Sequence, residues 1–144
     1  MIQFKTIDED NFYDVIDMKL PDTDFVAENV YSLAEAWLSK GDMMPYAIYE
    51  DETIVGFIML EKEYKKDGLG ILRMMIAEEY QGRGYGKESL KLVMNNPEYH
   101  EKYDFIYLYV VPENERAIHL YKKAGFYETG EVEEGENVLR YDLK

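Results

Sequence analysis

Three glycines at alternate positions, Gly82, Gly84 and Gly86, follow an apolar run and precede an apolar-periodic stretch. The segment Met74-Met75-Ile76-Ala77-Glu78-Glu79-Tyr80-Gln81-Gly82-Arg83-Gly84-Tyr85-Gly86-Lys87 reads as strand, tight turn, helix. Glycine lets the backbone take conformations closed to other residues and keeps side chains away from an approaching ligand. Successive backbone N–H groups at a helix start then form a concave anion site. The turn therefore predicts a bound phosphate or pyrophosphate. Two nucleotide patterns fail. A P-loop needs G-x-x-x-x-G-K-[ST], but Gln81 stands at its first glycine and Glu88 replaces its Ser or Thr. The spacing G-x-G-x-G also misses the dinucleotide fingerprint G-x-G-x-x-G. The competing reading is a glycine-rich connection that only turns the chain.

A second constellation follows the apolar run Phe105 to Val111: Pro112-Glu113-Asn114-Glu115-Arg116-Ala117-Ile118-His119-Leu120-Tyr121-Lys122-Lys123-Ala124-Gly125-Phe126. Here the sequence resembles the GNAT superfamily of acetyl-coenzyme A-dependent N-acetyltransferases. Gln81-Gly82-Arg83-Gly84-Tyr85-Gly86 matches that family's pyrophosphate loop, and Asn114, Ala117, Tyr121 and Gly125-Phe126 match its second signature. The likeness covers essentially the whole chain, residues 1–144, as one acetyltransferase domain. It implies a GNAT-like mixed, mostly antiparallel seven-stranded sheet flanked by about four helices, with acetyl-CoA as co-substrate.

The resemblance also implies roles. The strand backbone at Met74, Met75 and Ile76 would pair with the pantetheine amides. Gln81, Gly82, Arg83, Gly84, Tyr85, Gly86 and Lys87 would bind the pyrophosphate, with Arg83 and Lys87 adding charge. Asn114, Ala117 and Lys123 would meet the cofactor from the second helix. Each has an ordinary alternative: core packing for the strand, solvated surface for the basic residues, a helix cap for Asn114. Tyr121 is the expected catalytic residue. Amine attack on a thioester ends in loss of a thiolate, and a phenol within reach of that sulfur can donate a proton. The chain has 14 tyrosines, so position within the signature, not residue type, singles out Tyr121.

Attack requires a neutral amine, whereas alkyl ammonium groups have pKa values near ~10. Glu28, Glu35 and carboxylates reached through water are candidate bases, none marked by a motif. His100 and His119 lie outside the matching positions, and two histidines without cysteine make no metal-ligand pattern, so no metal is expected. Among GNAT proteins the sequence is most similar to bacterial spermine/spermidine acetyltransferases, in its short N-terminal helices, Tyr-rich hairpin and Glu-rich closing turn. A small cationic amine such as spermidine or spermine is the implied acceptor. Glu28 and Glu35 fall on one helix face as tentative substrate ligands, and Glu131, Glu133 and Glu134 sit in the hairpin that borders the acceptor side in this family. Other small amines, an amino acid or aminoglycoside, a peptide N-terminus, and a non-catalytic acetyl-CoA-binding sensor remain open. Retention of Tyr121 argues against the sensor.

These residues need elements to hold them. Ile2 to Ile7 alternates as a strand, and Phe12, Val15 and Ile16 share a short helix face. Val26, Val30, Leu33 and Trp37 recur at helical spacing and predict the apolar stripe of a second helix, with Glu28, Ser32 and Glu35 opposite. Tyr46 to Tyr49 and Thr53 to Leu60 flank the turn Glu50-Asp51-Glu52 and predict a hairpin. Leu69 to Ala77 is a strand, and Leu90, Val93 and Met94 mark a helix stopped by Asn96-Pro97. Phe105 to Val111 reads as a central strand buried on both faces. Asn114 and Gly125 bound the next helix, and Phe126 to Leu143 reads as a closing hairpin. The order β-α-α-β-β-β-α-β-α-β-β is an α/β class with a mixed sheet.

Composition limits the partners. With 144 residues, 47% hydrophobic and 15% aromatic, the chain can bury a core, which excludes disorder. Its apolar runs fall well short of the ~18 residues of a membrane span, and Met1 to Asp10 lacks a basic-then-apolar leader. The absence of cysteine removes disulfides and thiolate chemistry and predicts a cytoplasmic protein. A net charge of −14 repels phosphate backbones and attracts cations, so nucleic acid is not an expected partner. Family members often dimerise, so a homodimer is an expectation, although no stripe in the sequence is diagnostic of one.

Overall fold

Polar turns at Asp51, Asp67 and Glu134, each at positive φ, cut the chain into strands that fold back on their neighbours. The computed structural model describes residues 1–19 and 28–144. Along them run β1 (Ile2–Thr6), α1 (Phe12–Ile16), α2 (Asn29–Leu38), β2 (Met43–Glu50), β3 (Thr53–Glu61) and β4 (Gly68–Ile76). A 3₁₀ turn (Glu78–Tyr80) leads to α3 (Tyr85–Met94), α4 (Pro97–Lys102), β5 (Phe105–Val110), α5 (Glu115–Ala124), β6 (Tyr127–Glu133) and β7 (Glu136–Asp142). The strands form one seven-stranded sheet ordered β1-β2-β3-β4-β5-β7-β6. Only β4 and β5 pair in parallel; the other pairs are antiparallel. The expected order of strands holds, with one more helix than expected between β4 and β5.

Two expectations about helices need correction. The described residues contain five α-helices rather than four, because Asn96-Pro97 both ends α3 and starts α4. Asn96 accepts a hydrogen bond from the Glu98 N–H at 2.9 Å, with Pro97 in the first turn, which is how a helix begins. The stripe on α2 is also only partly right: Leu33 packs against the core as expected, but the rest of that face does not. Val30 and Trp37 are exposed (Trp37 by 81%), whereas Asn29, Ser32 and Ala36 are buried. Small residues let this helix lie close to the sheet, and the Asn29 amide donates to the Val15 carbonyl at 2.9 Å beneath it. Local packing overrides apolar spacing here. Val26 lies outside the described residues.

The sheet separates two cores. On one face Leu69, Ile71, Ile106, Leu108 and Val110 pack with Leu90 and Val93 of α3 and with Ala117, Ile118 and Tyr121 of α5. On the other, Val15 and Ala36 from α1 and α2 meet Ala47, Phe57, Met59 and Met75.

The ladder between β4 and β5 is short. Gly68 to Ile71 pair with Phe105 to Leu108, and the pairing then stops. On β4's other edge Met59 faces Arg73 while Leu60 faces Ile71, so Leu72 is the extra residue of a β-bulge. The bulge bends β4 away from β5 where their ladder ends. Below it the two strands are locked together: a Cβ at Gly70 would lie 2.7 Å from the Tyr107 ring. Gly70→Ala is therefore expected to lower the melting temperature by on the order of 5–10 °C, from overpacking worth ~1–3 kcal/mol. An unchanged thermal unfolding curve would show that the ring has room to move.

Candidate active site

Beyond Ile71 the diverging strands leave a cleft of about 250 Å³. β4 contributes Leu72, Arg73 and Met74 to it, the end of β5 contributes Tyr109, Val110 and Val111, and α5 closes it with Asn114, Ala117 and Tyr121. Met74, Met75 and Ile76 pair on one edge with β3, and past Ile71 no described strand covers the other edge. Alternate backbone amides on that edge are free to pair with an extended ligand, as in strand addition. Their side chains fill the two cores meanwhile, so the packing and binding readings are compatible.

The glycine turn lies at the end of β4. Gly82 and Gly84 have φ of +79° and +85°, and a Cβ on either would meet nothing within 4 Å. Open space therefore fronts the start of α3. Its first helical bond runs from the Glu88 N–H to the Gly84 carbonyl at 3.0 Å, and no side chain caps it. The N–H groups of Tyr85, Gly86 and Lys87 are left for an external acceptor. Gly86 departs from the expectation of three conformationally special glycines. It sits inside the helix with no positive φ, and its Cβ would meet only the Ile76 side chain at 3.8 Å.

The other loop residues divide. The Gln81 amide donates to the Ile76 carbonyl at 3.1 Å, tying the turn to the strand. Tyr85 packs against the core. Arg83 is exposed, with its guanidinium 5.5 Å from the Tyr80 ring centre, and Lys87 is exposed beside it in sequence. On α5, the Asn114 side chain accepts from the Ala117 N–H at 3.3 Å, so it caps the helix as well as lining the cleft. Lys123 is exposed in the last turn and is not part of the cleft wall. Tyr121 is partly buried against Phe126, and burial pushes its phenol up to about 12.

The acidic residues are less available than their sequence positions suggest. Glu28 is exposed just before α2 begins. Glu35 lies 2.7 Å from Arg73 of the cleft wall, so its charge is already matched. Lys65 is 2.9 Å from Glu133 and 3.9 Å from Glu131, and Tyr64 donates to Glu133 at 3.2 Å. Lys65 above all, helped by the Tyr109 and Tyr64 hydroxyls, holds the Glu133 carboxyl below its usual range against the opposing effect of burial. Glu134 occupies the hairpin turn at φ +50°. His100 is 2.7 Å from the Met94 carbonyl, and His119 is exposed on α5.

Sequence reasoning missed a buried polar row. Tyr107 donates to Glu61 at 3.1 Å across Gly70, and burial raises both groups above their ordinary values. Tyr109 follows two residues along the same strand face. The alternation Phe105-x-Tyr107-x-Tyr109 opposite Gly68-x-Gly70 was the available signal, since the first two rings each need a glycine beneath them.

A splayed parallel strand pair with an amide-bearing helix start at its open end and a helical phenol across it belongs to an acyl-transferring class of fold. The Acetyltransferase (GNAT) family model matches residues 7–126, and the chain belongs to that family. A spermine/spermidine N(1)-acetyltransferase of Bacillus subtilis is 36% identical over 106 residues, which is 69% of this chain and 70% of that protein. The spermidine N(1)-acetyltransferase of Escherichia coli is 40% identical over 67 residues, 42% of this chain and 32% of that one. Among solved structures, the Vibrio cholerae spermidine N-acetyltransferase in complex with CoA and spermine superposes with a TM-score of 0.71 at 17% identity. That match covers 96% of this chain and 92% of the other. The PaiA N-acetyltransferase of Thermoplasma acidophilum in complex with coenzyme A gives 0.72 at 18% identity over 99% of both chains.

The two glycines of the turn provide a contrast. Gly84→Ala places a methyl in the space before the free amides and is expected to weaken acetyl-CoA binding at least about tenfold, near 1.4 kcal/mol. Gly86→Ala, with ordinary φ and a 3.8 Å nearest contact, should leave binding within about twofold. Calorimetric titration with acetyl-CoA distinguishes them; equal affinities would place the ligand elsewhere.

Proposed function

We propose that the chain transfers the acetyl group of acetyl-CoA to a primary amine of a polyamine, spermidine or spermine, by direct attack in a ternary complex. The observation that carries this reading is the Tyr121 phenol at the wall of a cleft whose strand edge and helix start offer free amides. The chain's residues fit the proposed co-substrate. The free N–H groups of Tyr85 to Lys87 suit a pyrophosphate, with Arg83 and Lys87 adding positive charge. The uncovered edge of β4 suits the pantetheine amides. Asn114 retains its side-chain N–H groups for that arm, since only its oxygen is used by the helix cap.

Tyr121 serves as the general acid. A phenol raised to about 12 remains protonated throughout the neutral and mildly alkaline range, so its proton is available when the thiolate departs. The same burial that raises it excludes water from the thioester side. Removing the hydroxyl keeps the ring's contact with Phe126 and takes away the donor.

A polycationic acceptor is supported by the names of the similar proteins and by the net charge of −14. The proposal needs no dedicated row of free glutamates. Glu28 is exposed beside the described end of α2, and Glu35 offers a carboxylate already held by an arginine that an incoming ammonium could share.

An acceptor panel of spermidine, spermine, lysine and an aminoglycoside, followed by thioester consumption, tests the reading. Acetylation of the polyamines is expected. Turnover of only a singly charged or neutral amine would end the polyamine assignment. Tyr121→Phe should lose ~10²–10⁴ in kcat with acetyl-CoA affinity nearly unchanged. In the wild type, kcat should show no decline from loss of this proton up to about pH 10, because the phenol titrates above that range. The KM for spermidine should rise several-fold with ionic strength, as a Debye length of ~10 Å at 0.1 M implies, and more than for a monoamine. A salt-independent KM would remove long-range attraction from the account.

A further inference from the structure

β5 directs its residues to alternating sides. Ile106, Leu108 and Val110 enter the core shared with α3 and α5, while Phe105, Tyr107 and Tyr109 share the opposite face. The β4–β5 ladder ends at Ile71 and Leu108. Tyr109 is therefore the first residue of the aromatic row to stand beyond the ladder, and it lines the cleft. Its neighbour Tyr107 spends its hydroxyl on Glu61. The Tyr109 hydroxyl is buried and makes no well-aligned hydrogen bond among the described residues, although the Glu133 carboxylate lies close enough to act on its proton. Glu133 is the adjacent carboxylate and also accepts from Tyr64 and Lys65; even with its proton turned toward Glu133, the Tyr109 oxygen keeps its lone pairs for an incoming donor.

Tyr109 is not alone. The described residues leave five buried side-chain atoms without a hydrogen bond: Asn29 Oδ1, Glu35 Oε1, Arg73 Nη1, Ser89 Oγ and Tyr109 Oη, of which the Glu35 and Arg73 atoms are paired by charge. Arg73 and Tyr109 both line the cleft, and Glu35 sits 2.7 Å from Arg73 in a pairing too poorly aligned to count as a hydrogen bond. Native structures rarely leave buried polar atoms unsatisfied, and a concentration of them along one cleft marks where a ligand's polar group completes the set.

We propose that Tyr109 is the acceptor-binding phenol of the reaction: its oxygen accepts an N–H from the incoming primary amine and aims the nitrogen lone pair toward the acetyl carbon. This rests on the amine-acetyltransferase reading above. A neutral primary amine has one lone pair and two N–H bonds. Attack consumes the lone pair, so orientation must come through the N–H bonds. A neutral phenol suits that task, because a carboxylate would hold the nitrogen as an unreactive ammonium. Burial and the nearby Glu133 carboxylate push the Tyr109 phenol well above its ordinary value, which keeps it neutral. The cleft then carries two phenols with separate tasks: Tyr121 on α5 for the departing sulfur and Tyr109 on β5 for the arriving nitrogen.

The test is steady-state kinetics of wild type, Tyr109→Phe and Tyr107→Phe with spermidine and acetyl-CoA, alongside thermal unfolding and calorimetric titration with acetyl-CoA. Tyr109→Phe keeps the ring and removes only the hydroxyl's contact with Glu133, so its melting temperature should fall less than that of Tyr107→Phe. Its KM for spermidine should rise at least tenfold while its acetyl-CoA affinity stays within twofold. Tyr107→Phe should do the reverse, lowering the melting temperature by stranding Glu61 and leaving the ratio of the two substrates' KM values near wild type. A spermidine KM within twofold of wild type in Tyr109→Phe overturns the proposal. So does a loss of acetyl-CoA affinity equal to the loss for spermidine. Failure of the wild type to acetylate any amine in the panel would instead show that the function assigned above is wrong, and this inference would fall with it.

Discussion

The early end of the β4–β5 ladder is the constraint on which the site depends. Parallel pairing holds for four residues on each strand, and a bulge at Leu72 then turns β4 aside. A continuous ladder would satisfy every backbone group and leave no cleft. Unpaired backbone polar groups are costly when buried, so such an opening persists where something else satisfies them. In this family member the gap exposes a strand edge, seats α5 across it and leads to the free amides of α3. Gly68 and Gly70 make the paired part unusually tight by admitting the Phe105 and Tyr107 rings, which anchors both strands just below the point of divergence.

Charge is distributed less simply than the total of −14 suggests. Several carboxylates near the cleft already have partners: Glu35 with Arg73, Glu131 and Glu133 with Lys65, Glu61 with the Tyr107 hydroxyl. The remaining excess is spread over the surface, where it sets a long-range field. A cation approaching the protein would therefore be drawn by the whole molecule rather than by one acidic row. The exposed and partly exposed pairs contribute little to stability individually, so loosening one costs the fold little.

Tyrosine carries much of the site's polarity. Tyr107, Tyr109 and Tyr121 are all shifted upward by burial, so all three remain neutral phenols at working pH. Their surroundings differ. Tyr107 is satisfied by Glu61, Tyr109 makes no well-aligned hydrogen bond among the described residues, and Tyr121 stands on a helix from the opposite wall. One residue type thus supplies a structural bond and two groups available to ligands.

The sequence by itself determined the order of the strands, every helix but α4, the glycine turn and the second signature on α5. These are local: alternation, helical spacing, a cap at Asn114 and a stop at Gly125 each depend on neighbours in the chain. It also pointed to Gly84 as a backbone hinge, which the φ of +85° bears out, but it could not separate that glycine from Gly86. Tertiary structure decided the rest. It rotated α2, so that Asn29, Ser32 and Ala36 face the protein and Trp37 faces outward, because close approach favoured small residues over apolar ones. It placed Arg73 against Glu35 and Lys65 against Glu133, pairings between segments far apart in sequence. It left the Tyr109 hydroxyl without a well-aligned hydrogen bond among the described residues while satisfying that of Tyr107 two residues away. No spacing rule could distinguish those two tyrosines, since the difference lies in where the neighbouring strand stops.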